Sequence, residues 1–138
     1  KNKEWPYFEE LITKLLEQSY KVTVVGRGSW NHIEGSTNLV NKTSIAEMIE
    51  EISTAGTVIS NDSGPMHIGV ALNCKAIGLI GPTVKEFGFF PQFDNCVIIE
   101  NNDIKCRPCG VHGLNKCPEK HFNCMKTISV KKVISFIN

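Results

Sequence analysis

The sequence predicts an α/β fold, a parallel sheet with helices on both faces. Three observations carry that expectation. Short apolar runs recur at residues 22–25, 57–60, 76–80 and 96–99, continuous rather than alternating, as strands covered on both sides require. Segments with apolar residues at helical spacing lie between them. Three of the runs stop at turn residues, namely Gly26-Arg27-Gly28, Asn61-Asp62-Ser63-Gly64 and Gly81-Pro82.

Each element follows from local signals. Phe8, Leu11, Ile12, Leu15 and Leu16 fall at helical spacing after Pro6, and this helix should end near Ser19. The strand at 22–25 follows. Residues 27–38 read as a loop, and Leu39-Val40 as a two-residue edge strand. Ser44 and Glu47 stand at capping-box spacing. The helix they open has Ile45, Met48, Ile49 and Ile52 as its apolar face, with Gly56 placed to end it. After the strand at 57–60, Pro65 starts a short helix to about Leu72. A Gly- and aromatic-rich loop, 83–95, joins the strand at 76–80 to the last one at 96–99. A cysteine-rich loop at 104–126 lies within the single domain, and 128–137 closes the chain as an amphipathic helix. There is no internal repeat.

Composition narrows the function classes. The 138 residues carry a net charge of +1 and are 41% hydrophobic, which suits one domain or one lobe of a larger protein. A chain of this length should bury roughly two thirds of its unfolded surface. Disorder is excluded, and no nucleic-acid or anionic-membrane footprint is present. No apolar run approaches the ~20 residues of a membrane helix. The start, Lys1-Asn2-Lys3-Glu4-Trp5-Pro6, lacks signal-peptide character and reads as a segment of a longer protein. Six cysteines, four of them crowded into 106–124, do not spread as a disulfide scaffold would. A reducing compartment is expected, with Cys74 and Cys96 as plain buried thiols.

The strand–turn–helix at 57–72 is the most informative stretch. Ligands of open α/β sheets bind at the carboxyl ends of strands, where helix N-termini present free N–H groups and a positive dipole end. With Pro65 at the first helical position, Gly64 is the expected cap. The N–H groups of Gly64, Met66 and His67 would then face an anion, and a residue without a side chain allows close approach. Ser63 adds a hydroxyl and His67 a ring N–H. Asp62, freed from capping, would accept from ligand hydroxyls. Thr83, at another strand end, is placed to touch a sugar or a phosphate. Ordinary turn and helix-start chemistry with a half-buried histidine is the competing reading.

The run Asp62-Ser63-Gly64-Pro65-Met66-His67, then Ala71-Leu72, then Gly81-Pro82-Thr83, resembles the donor-binding half of the heptosyltransferases of glycosyltransferase family 9. Lys3-Glu4-Trp5-Pro6 matches that family's Lys-x-Trp-Pro element, and the Cys-x-x-Cys and Cys-Met pieces recur in many relatives. The resemblance covers essentially the whole chain. It implies the carboxyl-terminal, Rossmann-like lobe of a GT-B enzyme, with the acceptor site and catalytic base on an amino-terminal lobe. It also implies ADP-heptose as donor, the inner core of lipopolysaccharide as acceptor, inverting transfer without a catalytic cofactor, and work at the cytoplasmic face of a Gram-negative inner membrane. By the same resemblance, Lys3 contacts the diphosphate and Glu34 is the candidate for the ribose. The loop 26–38 aligns poorly. Gly26, Arg27 and Gly28 read as a plain turn and Met48 as core.

Cys106, Cys109, Cys117 and Cys124 could close a tetrahedral structural zinc site, with His112 and His121 as spare ligands. Free thiols, or disulfides formed later, are the alternative. Two functional alternatives stand beside the leading reading. One is a relative using another nucleotide sugar; the other is a non-catalytic cysteine-knuckle interaction module.

Overall fold

The computed structural model describes residues 3–137. Strands β3 (Thr57–Asn61), β4 (Lys75–Leu79) and β5 (Cys96–Ile99) form a parallel sheet in the order β3-β4-β5. Thr57 pairs with Lys75, and Ala76 with Cys96. Strands β1 (Thr23–Val24) and β2 (Thr37–Asn38) form a second, parallel pair. Its backbone ladder reaches past the strand bounds, with the N–H groups of Thr37, Leu39 and Asn41 donating to Val22, Val24 and Gly26. The edge strand therefore lies two residues before the expected Leu39-Val40.

Helices cover both faces of the β3–β5 sheet. On one face, Ile77, Leu79 and Ile99 pack with Leu11 and Leu15 of α1 (Phe8–Glu17) and Met125 of α4 (Asn123–Lys126). Val130 and Val133 of α5 (Val130–Ile134) complete that core. On the other face, Met66 of α3 (Gly64–Ala71) meets Ile80 and Phe90, and Ile52 of α2 (Ile45–Ser53) meets Val58 and Cys74. A Cβ on Gly78 would lie 2.5 Å from Met66 Sδ and 2.8 Å from Ile98 Cδ1, so α3 presses directly on β4.

The element bounds differ from expectation for local reasons. Helix α1 starts at Phe8, two residues after Pro6, because Trp5 is docked first. That indole is 1% exposed and donates from Nε1 to the Ile128 carbonyl at 2.9 Å. The helix stops at Glu17 because Ser19 turns left-handed (φ 64°), and Ser19 and Tyr20 donate to Leu16 and Leu15. That is a Schellman ending without the usual glycine. The expected terminal helix, 128–137, is shorter and is α5, and a further short helix, α4, lies before it inside the cysteine-rich segment. Ser129 is extended between them and accepts from the Lys132 N–H, starting α5 afresh. The capping box on α2 forms as expected, but only Met48 and Ile52 of its apolar face turn inward. Ile45 is 68% exposed and Ile49 is exposed too, because α2 reaches only the small cluster around Val58 and Cys74. No helix among the described residues is long and apolar enough to cross a membrane.

Candidate functional site

The turn between β3 and α3 holds most of the expected residues, in a slightly different arrangement. Ser63 is the extended cap residue (φ −159°, ψ 169°), and Gly64 is already helical, with Pro65 still in the first turn. This corrects the expected cap at Gly64. The Ser63 hydroxyl does not cap. It lies 2.9 Å from Ser60 Oγ and donates to the Asn61 carbonyl at 3.3 Å. The Met66 N–H is spent on the Ser63 carbonyl at 3.1 Å, and the Met66 side chain is wholly buried. The Met66 side chain is thus part of the core. Gly64 and His67 are exposed at the positive end of α3, the surface an anion would meet.

Lys3, Asp62 and Thr83 converge beside this turn. Lys3 Nζ donates to Asp62 Oδ2 at 2.7 Å, and Thr83 Oγ1 donates to the same oxygen at 3.0 Å. Asp62 Oδ1 makes no hydrogen bond among the described residues. The half-buried ion pair cancels the carboxylate's charge, so Asp62 does not oppose an anion at the neighbouring helix end. Thr83 is completely buried. Its hydroxyl is directed to Asp62, one step back from the exposed helix end. The Trp5 N–H donates to Asn61 Oδ1 at 2.9 Å, which fastens the amino-terminal segment, and with it Lys3, to the end of β3.

Other expected residues lie elsewhere. Glu34 sits exposed on the turn before β2 and makes no hydrogen bond to the 62–67 turn among the described residues. Arg27 donates to the Thr43 carbonyl at 2.6 Å and the Gly28 N–H to Asn41 Oδ1 at 3.0 Å, a plain turn. Met48 packs against the cluster of Ile52, Val58 and Cys74. His67 also borders a cavity of about 790 Å³ beneath Phe89, Phe90 and Phe93, away from Asp62 and Lys3.

The cysteine-rich segment folds back over the strand ends. The Cys109 N–H donates to the Pro82 carbonyl at 2.9 Å, and a Cβ on Gly113 would stand 3.1 Å from Pro82 and 3.4 Å from Lys3 Cε. Burial pushes the Cys109 and Cys124 thiols up, and the other cysteines of the quartet raise each further. The four thiols do not share a ligand sphere: Cys109 Sγ is turned to the Cys106 carbonyl at 3.6 Å, and Cys106 Sγ is 4.0 Å from His121 Nε2. Among the described residues no group of three or more His, Cys, Asp or Glu is arranged to hold a metal ion. Cys74 is buried, its Sγ donating to the Ile52 carbonyl at 3.3 Å, and Cys96 is half-buried, its thiol pushed up by burial.

Sequence reasoning missed Arg107 and Glu100. Arg107 Nη2 donates to the Thr83 carbonyl at 2.7 Å and to Glu100 Oε2 at 2.6 Å. The available signal was an arginine, one of two in the chain, enclosed by the Cys-x-x-Cys pair.

Residues 1–121 match the family described as glycosyltransferase family 9 (heptosyltransferase). Lipooligosaccharide heptosyltransferase 2 of Campylobacter jejuni is 38% identical over 101 residues, covering 72% of this chain and 30% of that protein. Its counterpart in Haemophilus influenzae is 32% identical over 123 residues, covering 76% and 35%. The chain thus spans about a third of the length of these curated relatives. Among solved structures, TibC of enterotoxigenic E. coli, described as an iron-containing dodecameric glycosyltransferase, superimposes with a TM-score of 0.77 at 21% identity, over 100% of this chain and 41% of that one. TibC has also been solved with ADP-D-β-D-heptose. The E. coli ADP-heptose lps heptosyltransferase II aligns with a TM-score of 0.69 at 20% identity, over 99% of this chain and 42% of that one. These two likenesses speak to the fold.

Proposed function

Because the chain belongs to glycosyltransferase family 9, we propose that it is the donor-binding domain of a heptosyltransferase, taking ADP-heptose and serving transfer to the inner core of lipopolysaccharide. One observation carries the reading: a lysine, a carboxylate with one oxygen free of hydrogen bonds among the described residues and an exposed helix N-terminus meet at the carboxyl ends of β3 and β4. In an inverting transfer the acceptor hydroxyl attacks the anomeric carbon, the bond to the diphosphate breaks, and negative charge grows on the leaving group. The Gly64 N–H, the α3 dipole, the Ser63 hydroxyl and His67 are placed to stabilise that charge. Lys3, kept on Asp62, adds a point charge beside the phosphates. Asp62 Oδ1 accepts from a sugar hydroxyl. Thr83 holds Asp62 in place. The acceptor and the base that takes its proton belong to residues outside this chain. Glu34 remains the candidate for the ribose if its loop closes on the nucleoside.

The cysteine segment lies on the site rather than apart from it, which favours this reading over a separate interaction module. Its four thiols have the chemistry of a structural metal centre, zinc by the donor set or iron as in TibC's description, once the side chains turn inward. No step of the transfer is assigned to that metal. Metal analysis of protein purified under reducing conditions should give one zinc or iron per chain, lost when Cys109 and Cys117 are replaced by serine. The proposed place of work is the cytoplasmic face of the inner membrane, as a peripheral protein.

Calorimetric titration with ADP and with UDP tests the donor. ADP should bind with clear preference, and His67→Ala should weaken it several-fold. A preference for UDP would move the donor to another nucleotide sugar. No binding of either by the natural protein at millimolar ligand would overturn the reading.

A further inference from the structure

We infer that Arg107 is a positioning residue of the donor site: by gripping the Thr83 carbonyl, it keeps the Thr83 hydroxyl on Asp62 and so aims the carboxylate that receives the sugar. The inference rests on the donor-domain reading for its purpose, but its geometry stands on its own. The sheet order is β3-β4-β5, and three side chains bridge the carboxyl ends of these strands in the same order. Asp62 follows β3, Thr83 follows β4, and Glu100 follows β5. Thr83 Oγ1 reaches Asp62 at 3.0 Å, and the Arg107 fork reaches Thr83 and Glu100 at 2.7 and 2.6 Å. The second arm of the fork, Nη1, donates to the Asn101 carbonyl at 2.8 Å and to Asn102 Oδ1 at 3.3 Å.

This is not how a side chain used for filling behaves. The Arg107 side chain is 3% exposed, and its charge has Glu100 as its ionic partner among the described residues. Its Nε is buried with no acceptor among them. A buried charge left partly unsatisfied is costly, and an apolar residue would fill the same space at less expense. Nη2 holds two strand ends while Nη1 holds the Asn101–Asn102 turn; a lysine ammonium, a single point on a flexible stem, cannot serve both arms in that fixed geometry. The Cys109 N–H on the Pro82 carbonyl fixes the neighbouring peptide. The carbonyls of residues 82 and 83 are therefore held from the Cys106–Cys109 turn by two bonds, which fixes the backbone that carries the Thr83 hydroxyl to Asp62.

The test compares Arg107→Lys, Thr83→Val and the double variant in the natural protein, titrated with ADP-heptose and with ADP. Arg107→Lys should weaken ADP-heptose by about tenfold, the scale of one hydrogen bond to a charged group, and leave ADP nearly unchanged, because Asp62 faces the sugar. Thr83→Val should do the same, and the double variant should lose no more than either single one. Equal loss of ADP and ADP-heptose, or additive losses, would overturn the inference. Amide exchange gives a readout that needs no ligand. Arg107→Lys should speed exchange of the Cys109 amide, which donates to the Pro82 carbonyl, while β4 stays protected, and unchanged protection at Cys109 would also overturn it. If the unaltered protein binds no nucleotide, the donor reading falls, and exchange alone decides whether Arg107 holds Thr83. If Arg107→Lys fails to fold, Glu100→Gln releases the same fork and is expected to give the same pattern.

Discussion

Gly81 closes β4 under Met125 and Cys124. A Cβ there would stand 2.7 Å from Met125 Cγ and 3.3 Å from Cys124 Sγ, so the strand end leading to Thr83 has no room for a methyl group. Gly78 is tighter still against Met66. Gly78→Ala should destabilise the chain by about 1–3 kcal/mol, the usual cost of overpacking a core, measured by urea unfolding. Asp62 gives a second prediction at this scale. Asp62→Asn keeps the shape but removes the charged acceptor for the sugar hydroxyl, so ADP-heptose affinity should fall more than ADP affinity. Equal losses would show that Asp62 acts only by holding Lys3.

Helix α2 is held at its start by Ser44 and Glu47. The Ser44 N–H donates to Glu47 Oε2 at 2.7 Å, and the Glu47 N–H returns to Ser44 Oγ at 3.2 Å. The Ser44 backbone N–H, then its hydroxyl, holds the Glu47 carboxyl below the usual carboxylate range. A lowered folded-state pKa means that this contribution is present above the unfolded value and is lost as pH falls through the folded one. Ser44→Ala should cost about 1 kcal/mol, read from the denaturation midpoint. Helix α3 ends by the same Schellman pattern as α1. Asn73 is left-handed (φ 59°), Asn73 donates to Val70 and Cys74 to Gly69. The box was legible because it is local, four residues from end to end. The ending of α1 was not, since Ser19 carries no left-handed signal.

Across the molecule, burial raises the thiols of Cys96, Cys109 and Cys124. Unfolded cysteines ionise near pH ~8.5. Above that value the unfolded chain gives up protons that the folded chain keeps, so stability falls as pH rises. The reduced, metal-free protein should therefore unfold at lower urea at pH 9.5 than at pH 7.5. An unchanged or higher midpoint would contradict this. With metal bound the sign reverses, because thiolate ligands form more readily as pH rises. The same pair of titrations thus separates the two states.

Continuous apolar runs and helical periods determined the parallel sheet, its helical cover and the turn at 62–64, because each is written in residues adjacent along the chain. Family motifs placed Lys3 and Asp62 at one site. What they could not express is the pairing of those two residues, the bond of Thr83 to Asp62, and the grip of Arg107 on Thr83. Lys3 and Asp62 are 59 residues apart and Arg107 and Thr83 are 24 apart. They meet only because β3, β4 and β5 end side by side. Met66 adds a packing role that its motif position did not express: its side chain is buried where α3 presses on Gly78. Local chemistry chose the elements, and the register of three parallel strands decided which side chains face one another.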